Sequence, residues 1–387
     1  MIQESYEFMK ILSINDAKRL ADDKAVVIIT GVTGQDGSFM ADYLLNNTEY
    51  EIFGGARRLS VSNHENIAHL DGEERFHLIN FDLTDAHSIS QTISQLHPDY
   101  FINFAAQSFV KSSWDFPSQT WDTNTKSIIH ILEAIRLHCP GCRFYNAGSS
   151  EEFGDVIYSP QDEKHPLRPR SPYGASKAAA RQLVKVYRES YGLYAIQGWL
   201  FNHEGTRRGE EFVTRKITKS VVQIKKTIGF VKGGIDSIQP LELGNLNAKR
   251  DWTDAEDCVV AVWRMLNQEV YNPSYYDGIL HRRIKEYVVS SGESHTVREF
   301  VEEAFRNVDM YGHWEGENEK EKFIWDYAIF PDKVLVQINP AYYRPAEIDV
   351  LQGNPGEMAK ELGWKPTTTF KELVKKMVDK DLQLIGL

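Results

Sequence analysis

The chain has 387 residues, 42% of them apolar, which suits one large α/β unit or two domains sharing a cleft. A net charge of -11 and a sequence pI of about 5.6 argue against a general nucleic-acid binder, although an acidic chain still binds a polyphosphate where its basic residues gather. No apolar run of about 18 residues suggests a membrane span. The mixed, charged N-terminus lacks the apolar core of a signal peptide, and three cysteines fit a reducing, cytoplasmic setting.

Residues 1–24 read as an N-terminal extension with room for one or two amphipathic turns. Residues 25–30 (AVVIIT) are β-branched and apolar, the pattern of a buried parallel strand. A GxxGxxG turn follows through Gly31, Thr33, Gly34, Gln35, Asp36 and Gly37, and a helical pattern follows the turn. Glycines there let the backbone approach a pyrophosphate, and the helix start offers it unpaired N–H groups and a positive dipole end. The motif alone is weak; its place between strand and helix gives it weight.

Residues 51–56 read as a second strand. An NAD-preferring site carries an acid near its end for the ribose 2′-hydroxyl. This chain has Arg57 and Arg58, which suit a 2′-phosphate, so the expected cofactor is NADP. A third strand over 76–81 ends at Asp82 and Leu83, where an acid suits the adenine amino group. A fourth over 100–104 ends in Ala105, Ala106, Gln107 and Ser108, where small residues let the backbone pack on a cofactor. A helix over 123–137 and a fifth strand over 143–147 deliver Ser149 and Glu151 beyond a strand's carboxyl end, where open α/β sheets bind ligands.

A helix over 175–191 and a strand over 194–200 complete the expected architecture, a Rossmann-type doubly wound parallel sheet forming an NADP-binding domain over 25–204. The alternation then loosens into a smaller mixed α/β region over 205–387 that binds substrate and shares an interwoven boundary with the first. Its loops keep supplying cations, which together would make a pocket suited to a diphosphate. Cys139 and Cys142 have CxxC spacing, but no second pair completes a zinc site, so no metal is expected.

Tyr173 and Lys177, spaced YxxxK, share one face of a helix. A phenol loses its proton near pH ~10. A nearby ammonium favours the phenolate, so the pair reads as a tuned base beside a cofactor. The spacing is common by chance on solvated helix faces, and the upstream glycine turn is what singles it out.

The order of GVTGQDGS, RR, AAQS, SSEEFG, SPYGASK, FNHEGTRRG, FVTRKI, GNLNAKRDW, SGESHTVREF and YYRPAEIDVLQG resembles the GDP-mannose 4,6-dehydratases, a nucleotide-sugar branch of the extended short-chain dehydrogenase/reductase superfamily. The resemblance runs from about residue 26 to the C-terminus. It implies a hydro-lyase that converts GDP-mannose to GDP-4-dehydro-6-deoxy-mannose with NADP retained as a catalytic cofactor. By the same resemblance Tyr173 takes the proton of the sugar 4-hydroxyl, Lys177 tunes it and holds the nicotinamide ribose, Glu151 removes the C5 proton, and Ser149 bonds the 4-oxygen. His203 and Arg208 match cofactor-contacting positions, and Asn202, Lys216, Arg250 and Arg344 match ligands of the sugar nucleotide. The resemblance also implies a homodimer or homotetramer.

The chain departs from the family's pattern in places. Ser149 stands for the commoner Thr, Phe109 for a His, and Glu152-Phe153 for Leu-Tyr, which makes Glu152 a competitor of Glu151 for the catalytic role. Segments near 229–239 and 271–286 look longer than typical. These differences leave room for a related substrate such as a GDP-manno-heptose. Further rivals are a nucleotide-sugar epimerase or reductase, which would not need Glu151, and an NADP-binding protein without catalysis.

Overall fold

The computed structural model describes residues 9, 11–21, 24–58, 63–230, 237–268, 273–276, 279–282, 284–329, 332–343 and 350–387. β1 (Ile11–Leu12) and α1 (Ile14–Ala21) precede β2 (Val26–Thr30), which is buried at all five positions, as its apolar run requires. α2 (Gln35–Asn47), β3 (Glu51–Ala56), β4 (Phe76–Asn80), α3 (Ala86–Leu96) and β5 (Tyr100–Asn103) continue the alternation. α4 (Ser112–Asp115) and α5 (Pro117–Trp121) lead through a π-helical turn, Asp122–Lys126, into α6 (Ser127–His138). β6 (Arg143–Ala147), α7 (Pro172–Tyr191) and β7 (Tyr194–Leu200) close the series.

These strands make one parallel sheet in the order β1-β4-β3-β2-β5-β6-β7, extended by a later strand described below. The Rossmann-type expectation is borne out. The order reverses between β2 and β5, which sets a crevice at their carboxyl ends. Apolar clusters cover both faces, one around Ile29, Ile102 and Val262, the other around Ile28, Phe101 and Ile131.

The remainder begins with β8 (Asn202–Glu204), α8 (Val213–Phe230), β9 (Leu241–Leu243), β10 (Lys249–Arg250), β11 (Trp252–Asp254) and α9 (Ala255–Leu266). The strands β12 (Pro273–Tyr276) and β13 (Ile279–Arg282) pair antiparallel, and β14 (Val288–Val289) follows them. β15 (His295–Thr296), α10 (Val297–Arg306), β16 (Gly312–Glu315), β17 (Lys322–Trp325), β18 (Val334–Ile338), β19 (Val350–Leu351), α11 (Gly356–Leu362) and α12 (Phe370–Leu384) complete the chain. The four-stranded sheet β16-β17-β18-β9 and helices α8, α10 and α12 share a separate core around Val221, Phe300, Val336 and Met377.

Two strands from outside residues 25–204 belong to the large sheet. β1 pairs with β4 at one edge, and Ala17 of α1 is buried in the main core, so the described part of the N-terminal extension is integral to the domain. β14 pairs with β7 at the other edge. Short pairings tie the regions together: β8 lies parallel to β11, and β10 sits between β15 and β19.

Candidate functional site

A cavity of about 840 Å³ opens at the carboxyl ends of the central strands, between the large sheet and the second region. The glycine turn forms one wall. Gly31 has φ +70°, and a Cβ there would lie 2.8 Å from the Ala105 nitrogen, so two main-chain loops meet where no side chain fits. A Cβ on Gly37 would lie 2.3 Å from the Gly31 oxygen. α2 starts after Gly34 with no side-chain cap. Its first N–H groups and dipole end therefore face Thr33, Gln35 and Asp36 on the cavity wall, a donor set that fits a pyrophosphate.

Asp36 and His203, both lining residues, hold each other across the turn, with Nε2 to Oδ2 at 2.8 Å, and His203 Nδ1 donates to the Phe201 carbonyl at 2.7 Å. Burial opposes both charges. The mutual attraction outweighs it, leaving the His203 pKa raised and the Asp36 pKa lowered. Gln35 Nε2 donates to the His203 carbonyl at 3.2 Å, so the turn and β8 are locked together.

Ala106 and Ser108 reach the wall, whereas Ala105 and Gln107 serve through their main chain. The Gln107 N–H donates to Asn124 Oδ1 at 2.8 Å, and Asn124 Nδ2 reaches the Gln107 carbonyl and Ser176 Oγ. Asn124 thus anchors the loop behind the cavity wall, a position that the sequence reading missed. It sits in the π-helical turn that interrupts the expected helix over 123–137, a distortion often found beside sites. The one signal was a polar residue at the head of an apolar pattern.

Arg57 and Arg58 are exposed just past β3, outside the wall of this cavity. Asp82 spends one carboxylate oxygen on the Thr84 N–H and hydroxyl. Leu83 is 7% exposed and its side chain packs in the core, so any contact it makes with a cofactor runs through its main chain. An apolar side chain next to a strand end is better satisfied by burial than by a groove.

Ser149 and Glu151 line the cavity from a 3-10 turn, Ser150–Glu152, that follows β6. Ser149 Oγ accepts from the Glu151 N–H at 3.2 Å, and its hydroxyl lies near enough to the Tyr173 phenol to lower that group's pKa. Glu152 turns the other way. Its side chain has no exposure, accepts from the Ser149 N–H at 2.9 Å and pairs with Arg181 at 2.5 Å. Geometry therefore separates the adjacent carboxylates: only Glu151 lines the cavity.

α7 begins at Pro172, three residues before the expected start, because Ser171 caps the Gly174 N–H and proline suits the first helical position. Tyr173 therefore lies in the first turn, with Lys177 one turn on. Burial pushes the Tyr173 pKa up; the Ser149 hydrogen bond lowers it, and the Glu151 and Glu152 charges add to the rise. Lys177 does not offset this as the spacing suggested. Its Nζ donates to the Ala147 carbonyl at 2.8 Å and sits 5.9 Å from the phenol centroid, and burial lowers its own pKa to about 8. In this state desolvation outweighs the ammonium.

The second region supplies the opposite wall. Asn202 arrives on β8, and Arg250, 8% exposed, on β10. Arg208 pairs with Glu204 at 2.9 Å and stacks 3.5 Å over Phe212, which meets Phe109 edge-on at 6.2 Å. Lys216 Nζ donates to the Glu242 carbonyl at 2.7 Å and lies 3.7 Å from the Tyr342 ring. Lys216 and Tyr342 also border a second cavity of about 920 Å³, lined by Leu241, Gln239 and Gln337 among others. Arg344 and parts of the long segments near 229–239 and 271–286 lie outside the described residues. Among the described residues no cluster of metal-ligating side chains occurs, and no helix is long and apolar enough to cross a membrane.

The arrangement offers a hydroxyl–phenol–ammonium set and a separate carboxylate around one space, with a phosphate cradle on one side and cations on the other. Comparison with known proteins places this geometry in a family. The profile described as GDP-mannose 4,6 dehydratase matches residues 28–377. A Drosophila melanogaster protein named GDP-mannose 4,6 dehydratase is 42% identical over 369 residues, covering 93% of this chain and 87% of that protein. Among solved structures, the dTDP-glucose 4,6-dehydratase DesIV of Streptomyces venezuelae, with NAD bound, superposes with a TM-score of 0.74 at 20% identity, covering 93% of this chain and 98% of that one. RMD of Pseudomonas aeruginosa, complexed with NADPH, gives 0.66 at 20%, covering 93% and 99%. These last two share the fold. The match over nearly the whole length leads to the conclusion that this chain belongs to the GDP-mannose 4,6-dehydratase family.

Proposed function

We propose that this chain is a hydro-lyase converting GDP-mannose to GDP-4-dehydro-6-deoxy-mannose and water, with NADP as a recycled cofactor. The observation that carries the reading is that Glu151 and Tyr173 line one cavity together, with Ser149 between the turn and the phenol. A simple reductase needs the phenol and ammonium; it has no use for the second carboxylate.

A bound nicotinamide would supply, when oxidised, a hydride acceptor for sugar C4 and positive charge beside Tyr173, and, once reduced, the hydride donor for C6. The residues do the rest. Tyr173 receives the 4-hydroxyl proton, and Ser149 bonds the same oxygen. Lys177, with a pKa of about 8, remains largely an ammonium at neutral pH and is placed to hold the nicotinamide ribose. Once C4 is a ketone its neighbour C5 is acidic; Glu151 removes that proton and hands it to the departing C6 hydroxyl, which leaves as water, while Tyr173 keeps the 4-hydroxyl proton for C5. A proton returns to C5 when C6 is reduced.

The main-chain donors of the 31–37 turn would hold the pyrophosphate of the cofactor. Arg57 and Arg58, with no acid in that position, favour NADP over NAD. Asn202, Lys216, Arg250 and Arg344 are read as binding the sugar nucleotide, with its base directed toward the second cavity past Lys216 and Tyr342. Residues 25–204 carry the cofactor and 205–387 most of the substrate contacts. Exposed apolar side chains on α6 and α7, among them Ile129, Leu137, Val186 and Tyr191, favour a homo-oligomer. Three free cysteines suit the cytoplasm.

Mass spectrometry of GDP-mannose incubated with the protein tests the reading, with substoichiometric NADP⁺ or NAD⁺ supplied in turn. The expected result is loss of one water per sugar, faster with NADP⁺ and abolished in Glu151→Gln. An unchanged mass with either cofactor removes GDP-mannose as the substrate, and GDP-manno-heptose is then the next compound to try.

A further inference from the structure

A single line of buried side chains crosses the carboxyl ends of four neighbouring strands and ends behind the Ser149–Glu151 turn. Thr30 Oγ1 on β2 donates to Asn103 Oδ1 on β5 at 2.5 Å. Asn103 Nδ2 donates to Asn146 Oδ1 on β6 at 2.7 Å, and Asn146 Nδ2 to Gln197 Oε1 on β7 at 2.6 Å. Gln197 Nε2 then donates both to Glu152 Oε1 at 3.0 Å and to the Lys177 carbonyl at 2.9 Å. All five side chains are at most 2% exposed.

The direction of this line has a chemical cause. An ionised carboxylate only accepts hydrogen bonds. With Glu152 ionised, Gln197 must present its NH₂ to it and its oxygen to Asn146. Each amide upstream is then oriented in turn, and the Thr30 hydroxyl is left to donate. Aligned donors polarise one another, which stiffens the line. Its start is the residue before Gly31 of the phosphate cradle. Its end grips the Ser149 N–H, through Glu152, and the main chain at Lys177.

Glu152 lies in a buried cluster of acidic and basic side chains. Arg181 Nε meets Glu152 Oε2 at 2.5 Å while its guanidinium stacks 3.5 Å over Trp199. Arg181 Nη1 donates to Glu286 Oε2, and Arg188 Nη1 to Glu286 Oε1, each at 2.8 Å. Glu286 comes from the end of the long segment before β14. The cost of burying these four charges is not recovered by stability alone. It is consistent with a demand for one fixed geometry.

We infer that Glu152, oriented by Arg181 and the Thr30–Asn103–Asn146–Gln197 line, is the positioning residue that fixes the Ser149–Glu151 turn against Tyr173 and Lys177. The inference rests on the catalytic roles proposed above for Ser149 and Glu151. Glu152 touches no substrate; it acts through the turn whose first N–H it holds. A carboxylate base displaced by about 1 Å loses on the order of a hundredfold in rate.

Two variants test this. Glu152→Gln keeps the shape but ends the one-way order of donors. Glu152→Leu with Arg181→Met removes both charges, so that no unpaired charge is left buried between them. The expected kinetic result in each, at near wild-type thermal stability, is a kcat for water loss down about a hundredfold with KM for GDP-mannose little changed. In a single turnover reduced cofactor should accumulate, because proton removal from C5, which needs the Glu151 carboxylate itself in place, slows more than hydride removal, for which Tyr173 and Lys177 remain on their own helix. Wild-type rates overturn the inference, as does an equal slowing of both steps in a folded variant. A crystal structure of the double variant gives a readout that needs no substrate. The Ser149–Glu151 turn, which loses the Glu152 carboxylate from its first N–H, should be displaced from Tyr173, and an unmoved turn overturns the inference. If the wild-type protein leaves GDP-mannose unchanged, the proposed function fails, and that structure still decides the positioning role.

Discussion

The glycine turn after β2 and the Ser149–Glu152 turn after β6 occupy equivalent places on one sheet, yet they are built on different principles. The first is shaped by backbone sterics. Gly31 adopts φ +70°, and the space beside Gly37 is filled by the Gly31 carbonyl, so neighbours in sequence nearly suffice to set its form. The second is shaped by side chains from distant segments: Glu152 is held by Arg181 and Gln197, and Arg181 in turn by Glu286. A cradle for a phosphate shared by many ligands needs only N–H groups at a helix start. A base that must choose one hydrogen of one sugar needs its carboxylate fixed in three dimensions, and packed charges do that.

Perturbing each turn on its own terms sharpens the comparison. The largest loss is expected from Gly37→Ala. A Cβ there would meet the Val32 Cα at 2.7 Å as well as the Gly31 oxygen, with no flexible side chain to yield. Urea unfolding should show about 3 kcal/mol of destabilisation, and cofactor titration a loss of binding. A variant that binds NADP⁺ normally would show that the turn relaxes without cost.

A smaller effect is expected where the glycine turn does borrow a side chain. His203→Gln removes the partner of Asp36 and should cost about 2 kcal/mol near pH 5 to 6. The pH profile carries the signature. The His203 pKa is raised, so its contribution is complete below about 6.5 and fades as pH rises through the folded value. The Asp36 pKa is lowered, so its contribution is present above about 3.9 and lost as pH falls through the folded value. The stability gap between wild type and variant, measured by denaturant midpoint, should therefore be widest between these limits and narrow on both sides. A gap independent of pH would mean the pair is not ionic.

The smallest effect serves as a reference far from both turns. Thr369 caps α12, accepting from the Glu372 N–H while Glu372 bonds back to Thr369. Thr369→Ala should cost about 1 kcal/mol by thermal or denaturant unfolding and leave cofactor affinity unchanged. A change in affinity would show that the second region's stability feeds into the cofactor site.

Much of the cofactor side was legible because its signals are local. β3, β6 and β7 occupy the expected residues, since short β-branched and aromatic runs between turn signals have few other uses. Ser171-Pro172 announced the true start of α7, and the expected helix over 175–191 missed it by weighing apolar spacing over cap chemistry. The π-helical turn at Asn124 was not legible, because its cause is the loop at Gln107 that Asn124 bonds. Neither was the edge strand β1, whose two residues are recognisable only beside β4.

The sequence by itself determined the strand–helix alternation of the large sheet, the glycine turn and the family, because each depends on residue types at short, fixed spacings. The resemblance pointed to Glu151 of two adjacent glutamates, but what turns Glu152 away from the cavity is visible only in the tertiary structure, in Arg181, Gln197 and Glu286, which are 29, 45 and 134 positions further along the chain. The tertiary structure also set the burial that raises the Tyr173 pKa, since desolvation depends on everything packed around the phenol and spacing records none of it.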